Sequence, residues 1–471
     1  MNRKTAFLIM AVAGCSLDGA GQSIKPVVVN PDNSVTISAS FPDADEVDVK
    51  GAFLSTPMTL RNLFKVFRRT DKEEMTKDDS GIWTYTSKPL PSDMYTYSFE
   101  VDDADTFDIK NRCLVRDVNT WLNYFIIPGG IGDYFITQKV PHGKVSLEWY
   151  DSSLPGVPRR RMAVYTPPYY SPLEKYPVLY LLHGSGGDER SWLELGREAQ
   201  ILDNLIARKE CVPMIVVMPN GISNRAATPG EDPYNKTPAS ASPVESMLGL
   251  TESVFVPEVV RYVETHYSVI PEKRGRAIAG LSLGGLHTLF ISANNPDEFD
   301  YVGLFSAQTT NKMTTKKKIS DVERLAAKFN KLSESFSFIT KGGKGKRLGT
   351  YANLVNEGRL TVYDSLDQKL ARQFSNPPKL YYIAYGSDDF LKDINEEYCQ
   401  RLTKAGYKYT LNLTGGGHTW DNWRKYLIDF LRKLFRWDVA ATGLPAGGDT
   451  VAADRGVVPA GIINDSSSAS Y

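Results

Sequence analysis

Apolar residues alternate with polar ones early in the chain and gather into short unbroken runs later, and this change of pattern divides the molecule. Val35, Ile37, Ala39 and Phe41 occupy every second position, followed by Val47 and Val49, by Trp83 and Tyr85, and by Tyr95, Tyr97 and Phe99. A period of two is that of a strand with one buried face. With Asp, Gly and Pro clusters between them, these strands predict an all-β unit over residues 25–138, an immunoglobulin-like sandwich. Val140 to Tyr150 reads as a connector and Arg159 to Tyr165 as an edge strand. Beyond it, apolar strands near 176–182, 212–218, 275–280, 300–306 and 379–385 alternate with helical stretches near 195–208, 252–266, 284–294, 391–405 and 421–436. That alternation predicts an α/β unit over 143–437, its mostly parallel sheet covered on both faces and its site at the strands' carboxyl ends.

One such end carries Gly280-Leu281-Ser282-Leu283-Gly284. A strand that turns sharply into a helix at Gly-x-Ser-x-Gly lifts the serine hydroxyl to the sheet edge, and its glycines let backbone approach closely. The pentapeptide also occurs in ordinary glycine turns, so the nucleophile reading of Ser282 rests on the strand before it and the helix after it. A serine hydroxyl is a weak nucleophile at neutral pH and needs a histidine base held by an acid. The chain has 5 histidines. His142 falls in the connector, His266 closes an amphipathic helix, and His287 follows Ser282 on one helix, where it packs or points to solvent. His183 ends an apolar strand before glycines, a setting for an oxyanion hole. His418 lies in Gly415-Gly416-Gly417-His418-Thr419-Trp420, between a strand-like Tyr409 to Leu413 and the last helix, and is the candidate base.

For the acid, the strand Leu380 to Tyr385 runs directly into Gly386-Ser387-Asp388-Asp389-Phe390. Asp389 is the first candidate and Asp388 the second, whichever is not catalytic capping the helix that starts near Leu391. Serine, aspartate, histidine is the chain order of the α/β-hydrolase fold. The oxyanion hole then draws on the backbone N–H groups of Leu283 and of Ser185, the latter in His183-Gly184-Ser185-Gly186-Gly187. Trp420 and Trp423 flank the base, and contact with an aromatic acyl group and helix packing explain them equally well.

Two stretches interrupt the alternation. Asn220 to Leu250, rich in Pro, Ala, Asn and Ser, is a functional or mobile loop. Thr309 to Pro378, with Lys316-Lys317-Lys318 and the basic run Lys341 to Arg347, reads as a solvated, flexible insertion whose position also suits a lid. Residues 438–471 lack periodic apolar content and read as a disordered tail.

Lysine plus arginine and aspartate plus glutamate number 55 each, so no net field draws in a polyanion, and nucleic acid is excluded as a partner class. No histidine and cysteine cluster has ligand spacing, so neither metal nor organic cofactor is implied. Residues 1–21 carry an address: basic Asn2-Arg3-Lys4, apolar Ala6 to Ala13, and Val12-Ala13-Gly14-Cys15, which resembles a lipobox. This predicts an exported lipoprotein, periplasmic or on the outer-membrane surface and lipid-anchored through Cys15, with ordinary secretory cleavage near Gly21 as the alternative. Cys113, Cys211 and Cys399 give no disulfide framework and read as buried free thiols.

Taken together, His183 to Trp192, the elbow at Ser282, Gly386 to Phe390 and Gly416 to Trp423 resemble the esterase D-like carbohydrate esterases of family 1, which include feruloyl and acetylxylan esterases. The similarity covers most of 143–437 and departs at Leu283, where methionine is frequent, and in the long segment from Thr309. It implies Ser282, Asp389 and His418 as a triad, Ser185 and Leu283 as oxyanion donors, and an acyl-decorated xylan or its oligosaccharides as substrate. The first unit resembles carbohydrate-binding module family 48 and related early-set domains, with Trp83 and Trp121 as sugar-platform or core residues. Alternatives are a siderophore esterase, a non-catalytic carbohydrate-binding surface lipoprotein, and an acyltransferase.

Overall fold

The computed structural model describes residues 24–54, 72–234, 247–309 and 359–436. The lipobox, both lysine clusters and the C-terminal tail lie outside the described residues.

The alternating segments form strands β1 (Val27–Val29), β2 (Val35–Ser40), β3 (Val47–Gly51), β4 (Lys72–Glu74), β5 (Thr76–Lys77), β6 (Ile82–Thr86), β7 (Met94–Val101), β8 (Ala104–Thr106), β9 (Leu114–Asp117) and β10 (Thr120–Ile126). They make a four-stranded sheet in the order β1-β2-β6-β5 and a six-stranded sheet β4-β3-β7-β10-β9 with β8 on β7. The inward residues of both sheets, Val35, Ile37 and Trp83 from one and Val47, Val49, Phe99 and Phe125 from the other, share a single apolar core. Trp83 belongs to that core, its Nε1–H donating to Phe41 O at 2.9 Å, so the platform reading fails for it.

The second unit begins earlier than the sequence pattern suggests. The stretch read as a connector supplies β11 (Lys144–Asp151), which pairs antiparallel with β12 (Arg159–Thr166) along its whole length and takes the edge position expected of Arg159 to Tyr165. Strands β13 (Val178–Leu182), β14 (Ile215–Pro219), β15 (Arg276–Leu281), β16 (Tyr301–Phe305), β17 (Leu380–Gly386) and β18 (Thr410–Thr414) complete an eight-stranded sheet, ordered β11-β12-β14-β13-β15-β16-β17-β18. From β14 onward all neighbours are parallel. The helices are α1 (Ser191–Glu194), α2 (Glu198–Ala207), α3 (Leu250–Val254), α4 (Arg261–His266), α5 (Leu283–Asn294), α6 (Leu366–Ser375), α7 (Lys392–Lys404) and α8 (Trp420–Leu431), with a π-helical stretch Phe255–Val260 joining α3 to α4.

Successive strand residues serve opposite faces, as the pleat requires. Ile278 joins the core under α3 to α7, while Ala277 and Ala279 join the core under α1, α2 and α8. That second core also takes in Met94, Val115 and Phe135 from the β unit. The first unit is therefore docked on the hydrolase through shared apolar packing rather than tethered beside it.

Two loop expectations change. Ile222, Ala226, Ala227 and Thr228 are buried, so the described beginning of the 220–250 segment is packed chain. The end of the presumed solvated insertion is ordered as well: α6 sends Leu366 and Leu370 into the core, and Tyr363, fully buried, packs edge-on against Phe290 of α5. Cysteines 113, 211 and 399 are free, as read, but Cys113 is exposed rather than buried. Among the described residues no helix is long and apolar enough to cross a membrane, and no cluster of His, Cys, Asp or Glu could hold a metal ion.

Candidate active site

Ser282 follows β15 and precedes α5 with φ 53° and ψ −114°, a conformation rare for any residue carrying a Cβ. The elbow is tight because backbone crosses backbone there. A Cβ on Gly284 would stand 2.5 Å from His183 O, so only glycine lets the start of α5 pass beneath the loop after β13. The Ser282 N–H donates to Phe305 O at 2.9 Å, and the Gln308 N–H donates to Ser282 O at 3.3 Å, tying the elbow to the end of β16.

His418 and Asp389 are brought together from the ends of β18 and β17. His418 Nδ1 lies 3.0 and 3.2 Å from the two Asp389 oxygens. Asp389 is 4 % exposed and also accepts the Leu391 N–H at 2.8 Å, so this residue both holds the imidazole and caps the following turn. Burial pushes its carboxyl upward, but the nearby His418 charge and hydrogen bonds from His418 and Leu391 outweigh burial and leave it below the ordinary aspartate value. Asp388 instead contributes its N–H to Gly416 O at 2.9 Å, which together with Ser387 N–H to Thr414 O at 2.8 Å zips the acid loop to the histidine loop. The His418 ring is held edge-on by Trp423, centroids 4.9 Å apart, and on another side by Phe390 at 4.3 Å.

Trp423 is 7 % exposed, so packing accounts for it; Trp420, partly exposed, stands edge-on to both Trp192 at 5.3 Å and Trp423 at 5.2 Å. Leu283 is the first residue of α5, where N–H groups have no acceptor within the helix. Ser185 is exposed on the glycine loop, its hydroxyl 3.4 Å from Met247 Sδ. A Cβ on Gly184, the residue before it, would stand 3.4 Å from Ser282 Cβ, which sets this loop beside the elbow.

The remaining histidines have other partners. His183 is buried, its Nδ1 2.8 Å from Gly184 O and its Nε2 accepting the Gly221 N–H at 2.8 Å, which assigns the proton to Nδ1. Burial pushes its pKa down to about 4, so it braces the loop as a neutral ring. His287 is buried rather than solvent-facing, with Nε2 2.8 Å from Met247 O. His142 reaches Asp203 at 2.8 Å, and His266 stacks on Tyr262 at 3.9 Å.

The sequence reading missed contacts to this site that cross between units. Arg116 of β9 donates from Nη2 to Asp188 Oδ2 at 2.5 Å and to Thr228 Oγ1 at 2.8 Å. Glu189, buried beside it, accepts from Arg161 Nε at 2.8 Å and from Asn220 Nδ2 at 3.1 Å. Nothing local in sequence pairs Arg116 with Asp188, although two adjacent acids directly after a glycine loop signal buried partners elsewhere.

A serine at a strand-to-helix elbow and a histidine on an aspartate, each just past the carboxyl end of a strand in this strand order, have the arrangement of an α/β-hydrolase. The profile of the family described as "Putative esterase" matches residues 158–434, more than half of the chain, and the chain belongs to that family. Residues 158–434 thus carry the chain's esterase-family region. The chain is 30% identical over 245 residues to the endo-1,4-beta-xylanase/feruloyl esterase of Xylanibacter ruminicola, a match covering 50% of this chain and 31% of that protein. The chain thus spans about a third of that relative's length. An acetyl esterase of Caldicellulosiruptor saccharolyticus is 25% identical over 266 residues, covering 56% of this chain and 84% of its own. Among solved structures, the enterobactin esterase of Shigella flexneri is similar in fold, with TM-score 0.51 and 13% identity over 86% of this chain and 93% of that one.

Proposed function

We propose that Ser282 is the nucleophile of a Ser-His-Asp triad that hydrolyses feruloyl or acetyl esters on xylan or its oligosaccharides. In this reading the serine oxygen attacks the ester carbonyl while His418 Nε2 takes its proton. Asp389 holds the Nδ1–H tautomer and stabilises the imidazolium, and the N–H groups of Leu283 and Ser185 receive the oxyanion. His418 then protonates the departing sugar hydroxyl, and water repeats the sequence on the acyl-enzyme to release the acid.

The observation that carries the proposal is the 3.0 Å contact of His418 Nδ1 with a buried Asp389, on loops zipped together after β17 and β18. The relatives named for feruloyl and acetyl ester hydrolysis support the acyl groups. Exposed Phe390 against the His418 ring, and partly exposed Trp420 against Trp423, suit an aromatic acyl moiety. The β unit is read as a carbohydrate-binding module 48-like sandwich of immunoglobulin type, and Cys15 as the anchor of an exported lipoprotein.

Incubation with feruloylated and acetylated arabinoxylan, reading both acids in one chromatographic run, tests the proposal against Ser282→Ala. The expected result is release that falls by several orders of magnitude in the variant. Release of neither acid, with cleavage of a tri-catecholate ester instead, would transfer the activity to siderophores.

A further inference from the structure

The β9–β10 hairpin reaches the catalytic loop under strain. Its turn residue Val118 has φ 53°, a conformation that a β-branched side chain rarely takes. It adopts it while pressed on the loop that bears Ser185: a Cβ on Gly186, which itself has φ 78°, would stand 2.9 Å from Val118 Cγ1. Arg116 fastens the hairpin in place, donating from Nη1 to Val118 O at 2.6 Å and from Nη2 to the buried Asp188. On the outer side of this contact a cavity of about 520 Å³ opens between the two units, with Asn119, Trp121, Arg190, Glu194 and Glu231 in its wall.

The lining specifies the ligand class. Trp121 is 49 % exposed, whereas Trp83, Trp192 and Trp423 are all buried, so a large apolar ring faces solvent at this junction. Arg190 sits 3.4 Å from Glu231 and 4.0 Å from Glu194, so the charges in the wall are balanced and favour neither an anion nor a cation. An aryl group alone would desolvate those charges without replacing their hydrogen bonds. A sugar ring meets both demands, because its C–H face stacks on an indole while its hydroxyls bond to guanidinium, carboxylate and amide groups.

We propose that this cavity is a saccharide subsite, assembled from both units, that seats a backbone sugar of the ester substrate on Trp121. Asn119, Arg190 and Glu231 serve its hydroxyls. The assignment rests on the polysaccharide ester reading above and adds where the polymer lies. Since Gly186 touches Val118 and Gly184 lies beside Ser282, a chain seated here runs along the loop to the nucleophile.

Two measurements test it. Calorimetric titration of Ser282→Ala protein with unesterified arabinoxylo-oligosaccharide needs no turnover. Saturable binding that Trp121→Ala weakens about tenfold is expected, since an aromatic contact is worth roughly one decade of affinity. In the active enzyme, the ratio of kcat/KM for a feruloylated arabinoxylo-oligosaccharide to that for methyl ferulate should fall about tenfold in Trp121→Ala and largely return in Trp121→Phe, which keeps a stacking face. Binding or a ratio indifferent to Trp121→Ala would overturn the subsite. Failure of the esterase reading would look different, as no Ser282-dependent ferulate from either ester, and the calorimetry would still decide the subsite.

Discussion

Ser282 carries a conformational cost at the strand-to-helix elbow. A Cβ-bearing residue at φ 53° and ψ −114° stores on the order of 1–3 kcal/mol, held in place by the hydrogen bonds to Phe305 and from Gln308. Ser282→Ala removes the hydroxyl and keeps the strain, whereas Ser282→Gly removes both. Both variants should lose ester hydrolysis, but Ser282→Gly should be the more stable by about 1 kcal/mol, the freedom of glycine in the unfolded chain taking back part of the relief. Equal denaturant midpoints for the two would mean that the elbow is unstrained. His183 makes a second prediction, with a pH signature. Its pKa falls on folding from an ordinary 6.5 to about 4, so the unfolded chain binds more protons between those values. The stability it contributes is therefore fully present above pH 6.5 and is lost as pH drops toward 4, by a few kcal/mol at most. Burial raises the carboxyls of Glu189, Glu194 and Glu198, which act with the opposite sign, so the wild-type curve mixes both. The difference between wild type and His183→Gln isolates the histidine: it should shrink steadily from pH 7 to pH 4 in chemical denaturation, and a pH-independent difference would refute the neutral-ring assignment.

At the scale of elements, the β9–β10 hairpin and the loop after β13 act as one piece, and the joint is ionic. Arg116→Ala should strand Asp188 as a buried, unpaired charge, costing about 3 kcal/mol, and loosen the loop that carries the Ser185 N–H, which lowers kcat. The double variant Arg116→Ala, Asp188→Asn removes the stranded charge and should recover part of the stability. If the double variant is as unstable as the single, the loss comes from hairpin packing and not from the charge. The same joint shows what sequence can and cannot reveal. Strands β13 to β17 were legible because each is a largely apolar run buried on both faces, and β13, β15 and β17 end in the glycine and serine turns that hold the candidate site residues. The pairing of His418 with Asp389 was legible because both sit just past a strand in hydrolase order, Asp389 after the buried β17 and His418 after the half-exposed edge strand β18. Strand β11 was not, because an edge strand that is half exposed shows no unbroken apolar run. Helix α6 was hidden by its lysine-rich surroundings, although Leu366 and Leu370 are spaced one turn apart. Arg116 and Val118 gave no signal, since a contact between residues far apart in sequence leaves no local pattern.

At the scale of the whole molecule, the two units share more than a linker. Met94, Val115 and Phe135 lie in the same apolar core as Trp192, Leu195, Tyr426 and Phe430, and Arg424 of α8, only 2 % exposed, donates to Leu195 O at 3.0 Å, to Met94 O at 2.8 Å and to Asp93 at 3.2 Å. A guanidinium buried between units whose two terminal nitrogens bond to both of them makes an interface that cannot open without breaking those bonds together. Domains joined by small polar contacts unfold separately, whereas a continuous core couples them. Differential scanning calorimetry should therefore show one transition for the protein, with calorimetric and van't Hoff enthalpies in agreement. Arg424→Ala leaves Asp93 with the Lys425 ammonium at 2.9 Å and the Met94 N–H at 2.8 Å, and opens a void in the joint. It should lower the midpoint by several degrees and broaden or split the peak as the β unit comes free first. Two transitions already in the wild type would show that the β unit folds on its own account, and the hydrolase would then owe its loop geometry to docking rather than to a common core.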